Sequence, residues 1–195
     1  DSGTSIVDVG PLAVLPLAQR ADLAPTLLSL TGRNVTIGTG ATVATDVGGS
    51  IALAVPSTTA GGAIRIDGRL EALAGNISVS AVSGTVTVAS TAALVARGVP
   101  RIEMDGRGQR DGVVLGGGSV ALDAGTVALQ TGSLIDVSGA SGEIDVPAGG
   151  ALGLRRSVPV TLASHGGSIS VKGQGLIEGT WRGEAGGGGA RGGTV

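Results

Sequence analysis

Cysteine, phenylalanine and tyrosine are absent from this chain, and Trp181, Met104 and His165 are each the sole residue of their kind. Each absence removes a class of chemistry. Without cysteine there is no disulfide framework and no thiol nucleophile, a lack that also fits export through a periplasm. With Trp181 as the single aromatic ring there is no platform for stacked bases. The formal net charge of −2 is mixed in sign and offers no footprint for a phosphate backbone, so nucleic acid is excluded as a partner. No apolar run reaches the length of about 18 residues that a membrane helix needs. The most apolar segment, Pro11 to Leu30, is broken by Pro16, Arg20, Asp22 and Pro25 and lacks the basic start of a signal peptide.

What remains is glycine and small aliphatics. Glycine supplies 38 of 195 residues, and the apolar content is almost entirely Ala, Val, Leu and Ile. That much glycine with that many β-branched residues argues against helix and for short strands joined by tight turns. No strict every-third glycine makes the chain collagenous, and its Val and Ile content is too high for a disordered linker.

One phrase recurs: a glycine, a small or polar residue, then an apolar, polar, apolar alternation. It reads GSIAL from Gly49, GAIRI from Gly62, GNISV from Gly75, GTVTV from Gly84, GSVAL from Gly118, GTVAL from Gly125, GEIDV from Gly142 and GSISV from Gly167. Each copy is a half-buried strand entered from a turn. Recurrent like segments, an aliphatic and nearly ring-free interior, and few Asn-Gly or Asp-Gly turns favour a stacked β-solenoid over antiparallel hairpins. At roughly 20 residues per coil this predicts about eight or nine coils over on the order of 40 Å. The inward residues are expected to be Ile64, Ile66, Ile77, Val79, Val86, Val88, Val120, Leu122, Val127, Leu129, Ile144, Val146, Ile169 and Val171. The segment GTVALQTGSLIDVSG from Gly125 echoes GSISVKGQGLIEGTW from Gly167. Aligned, Val127 falls on Ile169 and Leu134 on Leu176. The spacing places them in parallel, with one coil built from GEIDV and VPVTL between them. Residues 1–30 fit the repeat poorly and read as an irregular lead-in or capping segment; 31–195 read as coils with a charged loop near 96–117. The chain opens on DSGTS without an initiator Met and closes on GGTV, which resembles the start of another strand. The expectation is an internal piece, continuous with further coils.

The segments GSLIDVSG, LASHGGSISVKGQGLIEGTWRGEAGGGGARGGTV and RNVTIGTGATVATDVGGSIAL resemble large exoproteins of the filamentous haemagglutinin type, over most of residues 31 to 195. The resemblance implies an all-β, right-handed parallel β-helix. It also implies export by two-partner secretion in a Gram-negative bacterium and display at the cell surface, associated with the outer membrane, as an adhesin. The outer-membrane transporter would be addressed by a region outside this chain, because no Asn-Pro-Asn-type motif is present.

The chemistry of the side chains is sparse. Glu103 with Asp105 and Glu143 with Asp145 are the carboxylate pairs that a polysaccharide-degrading β-helix enzyme would need; alternation turns the second pair to water. His165 precedes Gly166-Gly167 in a turn, without the partners of a triad. DGRGQRDG carries two Asp, but the intervening Arg107 and Arg110 oppose a cation, and no calcium-binding nonapeptide occurs. No cofactor, metal site or catalytic residue is therefore assigned. The candidate partner-binding loop holds Arg97, Arg101, Arg107 and Arg110, a recognition loop on a rigid scaffold. Trp181 is the candidate exposed contact, a ring for a sugar face. The leading expectation is a non-catalytic shaft segment; the competing one is a module that binds a host glycan or protein through the Arg-rich loop.

Overall fold

The structure, a computed structural model, describes residues 25–148 and 156–195. Residues 1–24 of the expected lead-in lie outside the described residues. The described chain is all-β, with no helix among its residues. It makes five passes over the same path. β1 (Leu27–Thr31), β2 (Asn34–Ile37) and β3 (Thr42–Ala44) form the first; β4 (Ser50–Ala54), β5 (Ala63–Ile66) and β6 (Arg69–Glu71) the second. The third comprises β7 (Asn76–Val88) and β8 (Ala93–Val95), and is followed by a hairpin of β9 (Val99–Met104) and β10 (Arg110–Leu115). The fourth comprises β11 (Ser119–Leu129) and β12 (Leu134–Asp136), followed by a hairpin of β13 (Ser141–Ala148) and β14 (Arg156–Ala163). The fifth comprises β15 (Ser168–Gln174) and β16 (Thr180–Arg182). β1 therefore begins inside the segment read as an irregular lead-in.

All pairings between passes are parallel. One sheet runs β1-β4-β7-β11-β15, with β2 and β5 joined to it beside the second half of β7; another runs β3-β6-β8-β12-β16. The register places Leu27, Ser50, Asn76, Ser119 and Ser168 side by side. In the second sheet it aligns Thr42, Arg69, Ala93, Leu134 and Thr180. From Ser50 to the next equivalent position, Asn76, is 26 residues. From Asn76 to Ser119 is 43, of which 17 form the first hairpin, leaving 26. From Ser119 to Ser168 is 49, of which 23 run from the start of β13 at Ser141 to the end of β14 at Ala163, again leaving 26. The described residues thus make five passes, spanning on the order of 20 Å at the spacing of paired strands, where eight or nine coils were expected over the whole chain. The error lay in the coil length: a pass takes 26 residues rather than roughly 20, and the two hairpin segments lie outside that count.

The repeated glycine marks two columns. A Cβ at Gly75 would lie 1.9 Å from the Gly49 carbonyl oxygen, at Gly118 1.7 Å from that of Gly75, and at Gly167 1.8 Å from that of Gly118. None of these glycines has a positive φ. They are glycine because successive backbones touch there, not because a turn demands left-handed geometry. The second column sets Gly84 against Gly62, with 2.1 Å from the missing Cβ to the carbonyl oxygen. Both columns begin the same phrase, although Gly84 and Gly125 lie within β7 and β11 rather than at a strand start, which is why the echo misleads. GSVAL, not GTVAL, pairs with GSISV: Val120 stands beside Ile169 and Leu122 beside Val171. Leu134 pairs with Thr180 rather than Leu176. β11 and β15 are direct neighbours, so there is no intervening coil.

Inside the passes, alternate residues stack into aliphatic rows. Ile51, Ile77, Val120 and Ile169 form one; Ile64, Val86 and Val127 another; Leu70, Leu94 and Ile135 a third in the second sheet. Members of the middle passes are at most 1% exposed. Each such side chain contributes about 2 kcal/mol through burial. Of the expected inward set, Val171 is only partly buried because it belongs to the last pass. Ile144 and Val146 are not in this core at all: GEIDV pairs antiparallel with VPVTL, outside the stack. Proline marks that difference. No strand of the stack contains one, whereas β9, β13 and β14 hold Pro100, Pro147 and Pro159. A strand paired on both sides cannot spare the missing N–H.

Candidate functional site

The charged stretch is a hairpin rather than an irregular loop. β9 and β10 pair antiparallel from Val99↔Leu115 to Met104↔Arg110. At the tip the Asp105 carboxylate accepts from the backbone N–H of Arg107 at 2.8 Å and of Gln109 at 2.9 Å. The Gln109 N–H and then the Arg107 N–H hold that carboxyl below its ordinary range. Gly108 closes the turn at φ 74°.

The second hairpin lies against the first. Both leave the stack at the same corner, just after a strand of the second sheet, and stacked passes bring successive exits together. At their roots the buried Ser164 hydroxyl donates to the Leu115 carbonyl at 2.9 Å and accepts from the Ala140 N–H at 2.9 Å. Farther out, Arg110 joins the two. Its Nη1 is 2.6 Å from Glu143 Oε2, its Nη2 3.1 Å from Asp145 Oδ1, and its backbone N–H donates to Asp145 Oδ2 at 2.8 Å. Gln109 Nε2 adds a hydrogen bond to Ser157 Oγ. The side-chain and then the backbone bonds from Arg110 hold the Asp145 carboxyl low, and the two carboxylates raise the guanidinium further. Glu143 and Asp145 were expected simply to face water; they instead share one cation. A carboxyl held ionised in this way is poorly suited to act as a general acid.

The four arginines do not converge. Arg97 is exposed at the corner before the hairpin, and Arg107 is exposed at its tip. Arg101 lies half-buried on β9, on the wall of an open depression shared with Glu103, Met104, Asp105, Asp111 and Val113. Arg110 is committed to the second hairpin. Acidic side chains interleave with the basic ones, so the surface is mixed rather than basic. His165 sits in the turn before β15, where its Nδ1 accepts from the Arg191 N–H at 2.8 Å. Among the described residues no group of three or more His, Asp and Glu side chains could hold a metal ion, and no helix is long and apolar enough to cross a membrane.

Trp181 is not the exposed contact expected. It ends the row of Leu94 and Ile135, packs half-buried against the main core, and its Nε1 is enclosed without an acceptor. The middle passes admit only aliphatics in that row; a ring fits in the last one, where nothing is stacked beyond it among the described strands of that sheet. Its fluorescence is therefore expected to be blue-shifted, weakly quenched by iodide and unmoved by added sugars. A solvent-like emission maximum, or one that titrates with a glycan, would contradict this placement. Trp181→Ala is expected to cost about 3 kcal/mol in urea unfolding, the low end for a buried Trp.

Compared with protein-family models, curated proteins and solved structures, the chain matches none.

Proposed function

We propose that this chain is a shaft segment of a secreted bacterial surface adhesin, built as a right-handed parallel β-helix and exported by two-partner secretion. Its role is reach and display, without catalysis. The observation that carries the reading is the parallel, in-register pairing of five passes around one continuous aliphatic core. Such a stack is stiff along its axis, because each pass is held by backbone hydrogen bonds and side-chain contacts to the next. The phrases GSLIDVSG and AGGGGARGGTV add the likeness to haemagglutinin-type exoproteins. The test is surface labelling of the source cells with an antibody to the chain, with and without the partner transporter. Labelling of intact cells that disappears with the transporter supports the proposal; signal confined to the cytosolic fraction overturns it.

A second reading is a module binding a host glycan or protein. The paired hairpins favour it, since they project chain that the stack does not use for its main core. Arg101→Ala and Arg107→Ala, tested on glycan and host-protein arrays, separate it from a purely structural role.

A further inference from the structure

We propose that the two hairpins form a single latched unit, separable from the stack that carries it, with Arg110 as the latch. The unit rests on geometry alone and does not depend on the adhesin reading.

Each hairpin leaves and re-enters between adjacent points of the stack. Val99 pairs with Leu115, and a Cβ on Gly98 would lie 2.4 Å from the Leu115 carbonyl oxygen. Ser141 pairs with Ala163, and the Ser164 N–H donates to the Ala140 carbonyl at 2.9 Å. Without the hairpins both passes return to 26 residues, the length of the pass from Ser50 to Asn76, which carries no hairpin. The large aliphatic core contains no described residue of either hairpin; only Val99, and beside it Leu115, pack into the small cluster of Val47, Leu73 and Val95 under the corner. The roots belong to the stack, and everything beyond them belongs to the hairpins.

Beyond the roots the hairpins hold each other. The Arg110 fork takes both Glu143 and Asp145, Gln109 takes Ser157, and a Cβ on Gly142 would meet Ile102, Pro100 and Val114 at 2.4, 3.0 and 3.4 Å. One planar cation satisfying two carboxylates from the facing hairpin fixes orientation as well as attraction. Pro100, Pro147 and Pro159 remove backbone donors from three of the four strands, which disfavours growth of the unit by strand addition.

Two experiments on the whole chain decide this. In the first, Asn-Gly replaces Pro100 to Val114 and a second Asn-Gly replaces Gly142 to Leu162, closing the root pairs with two-residue turns. The shortened chain is expected to keep one cooperative thermal transition, within about 4 °C of the parent. In the second, hydrogen exchange is followed in Arg110→Ala. Amides of 141–148 and 156–163 are expected to exchange about tenfold faster, with those of β7 and β11 unchanged; Arg110→Lys restores protection only in part. Loss of folding on shortening overturns separability. Unchanged exchange in the second hairpin, or equal acceleration in the stack, overturns the latch.

Discussion

Gly118→Ala is expected to break the register of the stack. The added Cβ would fall 1.7 Å from the Gly75 carbonyl oxygen and 2.7 Å from its carbonyl carbon. Both atoms are backbone, fixed by the bond from the Ser119 N–H to that same oxygen at 3.0 Å. No rotamer can relieve the contact, so two passes must part and a ladder of hydrogen bonds must lengthen with them. The expected cost lies at or above the top of the ~1–3 kcal/mol range of core overpacking. Gly38→Ala is the control: a Cβ there meets nothing within 4 Å and needs no positive φ. It should change stability by no more than roughly 0.5 kcal/mol. Urea unfolding of the two variants side by side checks the pair. Equal stabilities would mean that the glycine column is not a contact between passes.

Leu94→Asp is expected to abolish folding of the stack. Leu94 is fully buried between Leu70 and Ile135, two aliphatic neighbours that offer a carboxylate no cation and no donor. A charge there must be desolvated without a partner or carried neutral at a large cost. Leu94→Ala should remain folded and lose about 3 kcal/mol, since it only empties space. Far-ultraviolet circular dichroism and a urea midpoint distinguish the two. The same Asp placed at Ala93, which is half-buried on the other side of the strand, should be far milder. A folded Leu94→Asp chain would contradict the inward assignment of this row. Such a row was hard to see beforehand: its strands are three residues long in every pass, too short for alternation to register.

The paired hairpins were partly visible in the sequence. The charge of the stretch from Arg97 to Asp111 set it apart, but the partner of Arg110 lay 33 to 35 residues away in a segment that scanned as another repeat. GEIDV carries the same alternation as GSIAL, and Pro147 and Pro159 were the available sign that its strands are not paired on both sides. Trp181 was misplaced for a related reason. Its composition as a lone ring suggested a surface contact, while its position at the end of an inward row follows from pairing with Ile135.

The sequence by itself determined the class of structure and much of its interior. Alternation is a local property of two-residue period, so GAIRI, GNISV and GTVTV already state which side chains turn inward, and Ile64, Ile66, Ile77, Val79, Val86 and Val88 are all buried. The near absence of aromatic rings and the abundance of glycine already pointed to closely stacked parallel strands. Only the tertiary structure decided which copy lies on which. Gly118 and Gly125 begin the same phrase, yet a Cβ would fall 1.7 Å from the neighbouring backbone at Gly118 and 3.1 Å from it at Gly125, a difference the phrase does not carry, so it cannot tell which of the two is the neighbour of Gly167. That choice is made by contacts between residues some fifty positions apart, where one backbone oxygen either accepts the next pass or does not.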